Sequence, residues 1–260
     1  MRSWVAFGVL VSVALPAQAA CVAQSGATVV PLVELYTSEG CSSCPPADKW
    51  FSRLALADTG DVNFLAFHVD YWDDIGWHDR FGSPAFSKRQ RQRVDAAGHR
   101  GGLLGGQGAV FTPQVMVGRT VAAAWSEPKK FVPVLQSAQG QAGANLSLKA
   151  QPGTDGAWTA TVQGGIVGDA AGARLWLAQY LDGQSTEVRA GENKGVTLHH
   201  DHVVGTLWGP WPLEQAKDQT QQVSFEMPSS PWGLTAFVQD RRGNTLQSLQ
   251  LASAKCTAID

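Results

Sequence analysis

Two cysteines three positions apart, Cys41-Ser42-Ser43-Cys44, are the residues of this sequence best suited to chemistry. Such a pair closes a disulfide only where the backbone turns tightly, as it does at a helix start. There the first thiol stands exposed, and the helix N-terminus stabilises its thiolate and lowers its pKa. A thiolate at neutral pH attacks a disulfide, and the second cysteine then resolves the mixed disulfide. Thr112-Pro113, just ahead of a strand, fits the same chemistry: a cis-proline there opposes the redox turn and presents backbone to a substrate peptide. Glu34 lies inside an apolar strand upstream of the cysteines. A buried carboxylate at that place would have a raised pKa and exchange a proton with Cys44. Cys41, Cys44, Pro113 and Glu34 are therefore the catalytic candidates.

A second set follows the second strand: His68-Val69-Asp70-Tyr71-Trp72-Asp73-Asp74-Ile75-Gly76-Trp77-His78-Asp79. In an open α/β sheet the carboxyl ends of the strands line the ligand crevice, which puts this segment near the cysteine turn. Tyr71, Trp72 and Trp77, with Thr112, are candidates for a substrate-binding lip. The same segment also reads as a small packed core, or as a metal site built on His68, His78 and the aspartates. His199, His200 and His202 form a third cluster, but in a strand only His200 and His202 share a face, and no third ligand is evident. No metal centre or cofactor is expected. Lys88, Arg89, Arg91, Arg93 and Arg100 spread around a helix and its exit and read as a solvated surface. The glycine-rich stretch 98–108 lacks a following Lys-Ser/Thr, so it is no phosphate loop; it reads as a flexible or tightly turning segment over the site.

The elements that must position these groups alternate in type from Thr28 to about Gln139. Val29–Tyr36 is a near-continuous apolar run, the mark of a strand buried on both faces of a sheet. Ala47, Trp50, Phe51 and Leu54 form a helical stripe in the segment Pro45–Asp58. Val62–Val69 is a second strand, and Ser83-Pro84 opens a helix to about Ala97. Gln114–Val117 and Thr120–Ala124 read as a hairpin about Gly118-Arg119, and Ser126 as the cap of a last helix with Phe131, Val134 and Leu135 inward. The order is β-α-β-α-β-β-α, an α/β sheet. Beyond Gln141 the helical period vanishes. Segments 145–150, 157–163, 173–181, 196–204, 223–227, 233–239 and 246–252 look like strands of a smaller all-β, sandwich-like unit. The expected organisation is a signal peptide over 1–20, an α/β domain over 21–141 and a β-rich domain over 142–260.

The first twenty residues carry Arg2, an apolar run from Val5 to Leu15 and small residues at Ala17-Gln18-Ala19, a secretory signal cleaved after Ala19 or Ala20. That run is shorter than the roughly 20 apolar residues of a spanning helix, so no membrane insertion of the mature chain is expected. A hydrophobic content of 44% supplies a sizeable core. The net charge of −2 and a charged fraction of 16% give no global attraction to nucleic acid. An exported chain meets an oxidising compartment, periplasmic or extracellular, where its 4 cysteines serve redox or structural ends.

The order of elements, the C-x-x-C after the first strand and the Thr-Pro before the third resemble the thioredoxin fold. Val33–Asp48, His68–Trp77 and Thr112–Val115 more closely resemble a secreted bacterial family with a thioredoxin-like domain, domain of unknown function 1223. Gly191-Glu192-Asn193-Lys194-Gly195 with Val203-Val204 extends that resemblance into the second half. It implies Cys41 as the attacking cysteine, Cys44 as the resolving one, Pro113 as the cis-proline and Glu34 as the buried acid. Glu34 lies one position further from the first cysteine than in thioredoxins. Gly40 replaces the usual aromatic residue, and Pro45-Pro46 moves the helix start to Cys44. Pairing 41 with 44 leaves Cys21 and Cys256 as a structural disulfide between the ends of the mature chain. The expected function is thiol-disulfide exchange with cysteine-containing envelope proteins or a redox partner protein. A non-catalytic binding module with a structural disulfide is the alternative, and a metal carrier using the cysteines and His68 a weaker one.

Overall fold

The computed structural model describes residues 20–57, 60–98, 109–153, 156–170 and 172–256. Residues 1–19 of the expected signal peptide, Arg100 and nearly all of the glycine-rich stretch lie outside them. The chain opens with strand β1 (Cys21–Gln24), then alternates β2 (Leu32–Thr37), helix α1 (Pro45–Ala57), β3 (Asn63–His68), α2 (Pro84–Ala96), the short strands β4 (Gln114–Val117) and β5 (Thr120–Val121), and α3 (Pro128–Ser137). Among the described residues only strands and one short 3-10 turn follow: β6 (Ala144–Pro152), β7 (Trp158–Ile166), β8 (Arg174–Leu181), β9 (Gln184–Glu187), β10 (Thr197–His200), β11 (Val203–Pro212), β12 (Gln219–Phe225), β13 (Trp232–Gln239) and β14 (Thr245–Ala252). The molecule is mixed α/β, with few helices and mostly sheet.

Eight strands form one sheet in the order β14-β13-β8-β11-β3-β2-β4-β5. β2 lies parallel to β3 and antiparallel to β4, and every residue of it is buried, as its unbroken apolar run requires. The helical elements end before residue 142, where the sequence places a boundary, yet β8, β11, β13 and β14 hydrogen-bond into the same sheet as β2–β5. The sandwich expected in the second half forms between the other end of this sheet and a second sheet, β1-β6-β7-β12. Leu146, Leu148 and Val162 from the small sheet meet Leu175, Leu177, Leu234 and Val238 from the large one. α2 covers one face of the large sheet through Phe86 and Val94; α1 and α3 cover the other through Ala47, Phe51 and Phe131.

Helix starts follow local chemistry. Ser83 caps α2, its hydroxyl accepting from the Ala85 N–H at 3.3 Å, with Pro84 in the first turn. α3 begins one residue later than the sequence suggests: Glu127 holds the cap position and Pro128 takes the first turn. The expected strand over 196–204 is broken, because His202 takes a left-handed φ of 54° between β10 and β11. His200 and His202 therefore part company: His202 stacks on Tyr180, while His200 is buried with its ring against His68. Cys21 and Cys256 are bonded, with Cα atoms 4.8 Å apart, tying β1 to the end of the chain.

The disulfide turn and the buried charge cluster behind it

Cys41 and Cys44 are joined by a disulfide at the entry to α1. The Cys44 carbonyl accepts from the Ala47 and Asp48 N–H groups at 2.8 and 3.1 Å, so Cys44 is the cap residue and Pro45-Pro46 the first turn. The positive end of the helix dipole thus falls on Cys44, and Cys41 lies three residues outside it. The Thr112–Pro113 peptide is cis, and the Ser43 hydroxyl donates to the Thr112 carbonyl at 3.5 Å across 69 residues of chain. The disulfide turn and the Thr-Pro turn are therefore neighbours.

Cys41 is not the exposed thiol that its place in the motif predicts. Both cysteines are fully buried. Trp72 closes one side: a Cβ at Gly40 would stand 3.0 Å from the Trp72 Cβ, so an aromatic residue does not fit at position 40. The Trp72 indole N–H donates to the Thr112 hydroxyl at 2.8 Å, fixing Trp72 against the Thr-Pro turn. The connection between β9 and β10 closes another side. There the Asn193 amide donates to the carbonyls of Glu39, at 2.8 Å, and Cys41, at 3.0 Å, and the Ser42 N–H donates to Glu192 Oε2 at 3.1 Å. Tyr71 stands at the margin, its hydroxyl donating to Gln90 Oε1 at 3.2 Å.

Glu34 does not serve these cysteines. Alternation along β2 turns Val33 and Leu35 toward α1, whereas Glu34 faces α2. Arg89 and Arg93, expected on a solvated helix surface, are buried there and hold Glu34 at 3.0 and 3.1 Å. Tyr36 and Gln239 donate to the same carboxylate at 2.7 and 2.8 Å. Burial pushes the Glu34 pKa up, but the two guanidinium groups and these hydrogen bonds outweigh it and set it at about 2. The expected raised pKa is overturned by partners that only the fold brings in.

Five other titratable residues lie behind the disulfide: Glu39, Asp48, His68, Asp79 and His200, all buried. His68 Nδ1 donates to Asp79 Oδ2 at 2.6 Å, and the same oxygen accepts from the Glu39 N–H at 2.9 Å. Burial would lower the His68 pKa, but Asp79 raises it; Asp79 itself falls to about 2, because His68 and two backbone N–H groups outweigh its desolvation. Glu39 Oε2 accepts from the Trp77 indole at 2.9 Å, and its Oε1 lies 3.5 Å from His200 Nε2. Despite burial, these contacts hold Glu39 below the usual carboxylate range. β10 packs on α1 and sets His200 beside Asp48, whose pKa is raised, chiefly by burial. Asp48 Oδ2, His68 Nε2 and both His200 nitrogens make no hydrogen bond among the described residues. Among the described residues no three His, Cys, Asp or Glu side chains are arranged to hold a metal ion.

Sequence reasoning brought Cys41, Cys44, Thr112, Pro113, Trp72 and Trp77 to this place. It passed over Glu39, Asp48 and Asn193, read Asp79 only among the aspartates of a metal site, and left His200 in a histidine cluster that does not exist. Asp48, Glu39 and Asn193 all stand inside the runs that carry the family resemblance, which was the available signal. Residues 32–239 match the family described as protein of unknown function, DUF1223, and the chain belongs to that family. The fold is similar to that of an Agrobacterium tumefaciens protein solved by crystallography, 22% identical, covering 86% of this chain and 94% of that one with a TM-score of 0.59. HBP35 of Porphyromonas gingivalis is 16% identical, covering 90% of this chain and 78% of its own, also with a TM-score of 0.59. No curated protein matches the sequence.

Proposed function

We propose that this member of the DUF1223 family exchanges disulfides with cysteine-containing proteins of the bacterial envelope, through the Cys41–Cys44 pair of a thioredoxin-like half. The observation that carries the reading is the meeting of the disulfide at the entry to α1 with the Thr112-Pro113 turn. The order β2-α1-β3-α2-β4-β5-α3, with β2 between parallel β3 and antiparallel β4, supports the fold assignment. Two disulfides in the described chain and the apolar N-terminal stretch support export.

In this reading a partner thiolate attacks Cys41 Sγ, the 41–44 bond breaks, and Cys44 leaves as a thiolate. Asp48, one helical turn beyond Cys44 on the same face, gives that thiolate its proton. A second partner thiolate then attacks the mixed disulfide and releases Cys41, so two electrons pass from the partner dithiol to the cysteine pair. In the reverse direction Cys44 hands its proton to the Asp48 carboxylate and attacks Cys41 Sγ, expelling the partner thiolate. Burial keeps Asp48 protonated at higher pH than an ordinary aspartate, which suits it to both steps.

The burial of both cysteines favours a second reading, a binding module with a permanent disulfide. Trapping separates the two. Cys44→Ser expressed in a bacterial envelope should accumulate mixed disulfides through Cys41 that Cys41→Ser/Cys44→Ser does not. No captured partner, together with a 41–44 bond that resists mild reductant, would overturn exchange in favour of the structural role.

A further inference from the structure

We propose that the turn Gly191–Gly195, between β9 and β10, is a removable cover whose Glu192 and Asn193 occupy the backbone groups that an exchanging peptide takes. This rests on the reading of Cys41–Cys44 as an exchanging disulfide. The redox turn offers two carbonyls, of Glu39 and Cys41, and one N–H, of Ser42. All three are taken by side chains of the cover. An extended peptide carries both N–H donors and C=O acceptors at regular spacing, so it can satisfy the same three groups by its main chain. The occupant that fits is therefore an extended, cysteine-bearing segment of a partner protein.

The cover can leave at small cost. β9 and β10 pair only with each other, so lifting their connection breaks no rung of either larger sheet. Glycines bound it on both sides, Gly191 at φ 70° and Gly195 at φ 85°, where other residues are strained. Glu192 is exposed, and only Asn193 is buried among the residues of the turn. Asn193 is bonded to the Cys41 carbonyl, Cys41 is fully buried, and attack on its sulfur needs an open approach, so the cover leaves for reaction.

The test measures how fast the 41–44 bond of the full-length oxidised protein is reduced, by a cysteine-bearing peptide thiol and separately by a small phosphine. Glu192→Ala/Asn193→Ala should be reduced about tenfold faster or more by both, since the three hydrogen bonds that hold the cover are lost. Asn193→Asp, which sets a carboxylate against two carbonyls, should open the cover with no change in volume. Glu192→Gln keeps an acceptor for Ser42 and should retain the parent rate. Gly243→Ala is the control for general loosening: its added Cβ would collide with the Arg93 side chain and meets no residue of the cover. Equal rates in parent and cover variants, or an acceleration no larger than in Gly243→Ala at matched stability, would overturn the cover. Acceleration in the cover variants with no partner trapped by Cys44→Ser would keep the cover and remove the exchange function; trapping without acceleration would do the reverse.

Discussion

Glu34 and Asp48 are both buried carboxylates within a short reach of the same disulfide in sequence, yet their neighbours drive their protons in opposite directions. Two guanidinium groups face Glu34, so it stays ionised; Asp48 has an unpartnered oxygen, and burial outweighs the pull of His200, His68 and the Thr37 hydroxyl. A carboxyl whose folded pKa is raised favours the folded state at low pH and weakens it as pH rises through the folded value. Asp48→Asn removes that penalty and is expected to leave the unfolding midpoint at pH 7 unchanged or higher. The same change should slow resolution of the mixed disulfide by about a hundredfold, the lower range of a lost general acid-base group. Urea unfolding alongside quenched-flow alkylation reads both. A stability loss with unchanged exchange would make Asp48 a structural residue.

At the scale of elements, α2 shows how a helix can dock by charge as well as by apolar contact. Arg89 lies over the rings of Phe67, Trp176 and Phe237 while bonding Glu34 and Gln239, and Arg93 bonds the carbonyls of Gly118 and Gly243. Removing the carboxylate leaves two buried cations without a counter-charge, at a cost of about 3–5 kcal/mol. Glu34→Gln should therefore lower stability at pH 7 by about that much without changing exchange per folded molecule. The folded Glu34 pKa of about 2 lies below the ordinary 4.5, so its contribution is fully present above that ordinary value and is lost as pH falls toward 2. The gap between parent and variant should accordingly narrow below pH 4. A gap that is flat with pH would contradict the pairing. The charge pattern of α2 was legible in the sequence; its burial was not, since nothing local reveals which face of β2 the acid takes.

Across the whole molecule, the eight-stranded sheet couples what the sequence presents as two successive parts. Strands from both sides of residue 142 share ladder hydrogen bonds, and the β9–β10 hairpin of the second part closes the site of the first. Unfolding is expected in one cooperative transition seen alike by far-ultraviolet circular dichroism and calorimetry. A chain ending at residue 141 should not fold, because it leaves β3 without β11 and the disulfide without its cover. Two separated transitions would argue against this coupling. The Cys21–Cys256 bond closes a loop spanning 235 residues, for which chain entropy gives up to about 5 kcal/mol. Cys21→Ser/Cys256→Ser should fall in urea midpoint accordingly while the 41–44 bond keeps its reduction rate.

The sequence by itself determined the β-α-β-α-β-β-α order from Thr28 to about Gln139, the fully buried β2 and the cysteine turn at the start of α1, because these rest on local periodicity, capping and spacing; β1, β9 and the break between β10 and β11 carried no such signal. It also carried the runs by which the chain resembles the DUF1223 family, to which residues 32–239 match. The tertiary structure alone decided which carboxylate is ionised, that Arg89 and Arg93 are interior, that His200 rather than His202 joins the site, and that Cys41 is covered. Each of those depends on contacts across 40 to more than 150 positions of chain, such as Asp79 on Glu39 and Asn193 on Cys41. Burial and electrostatics are set by what lies close in space, and no local pattern in the chain encodes that neighbour.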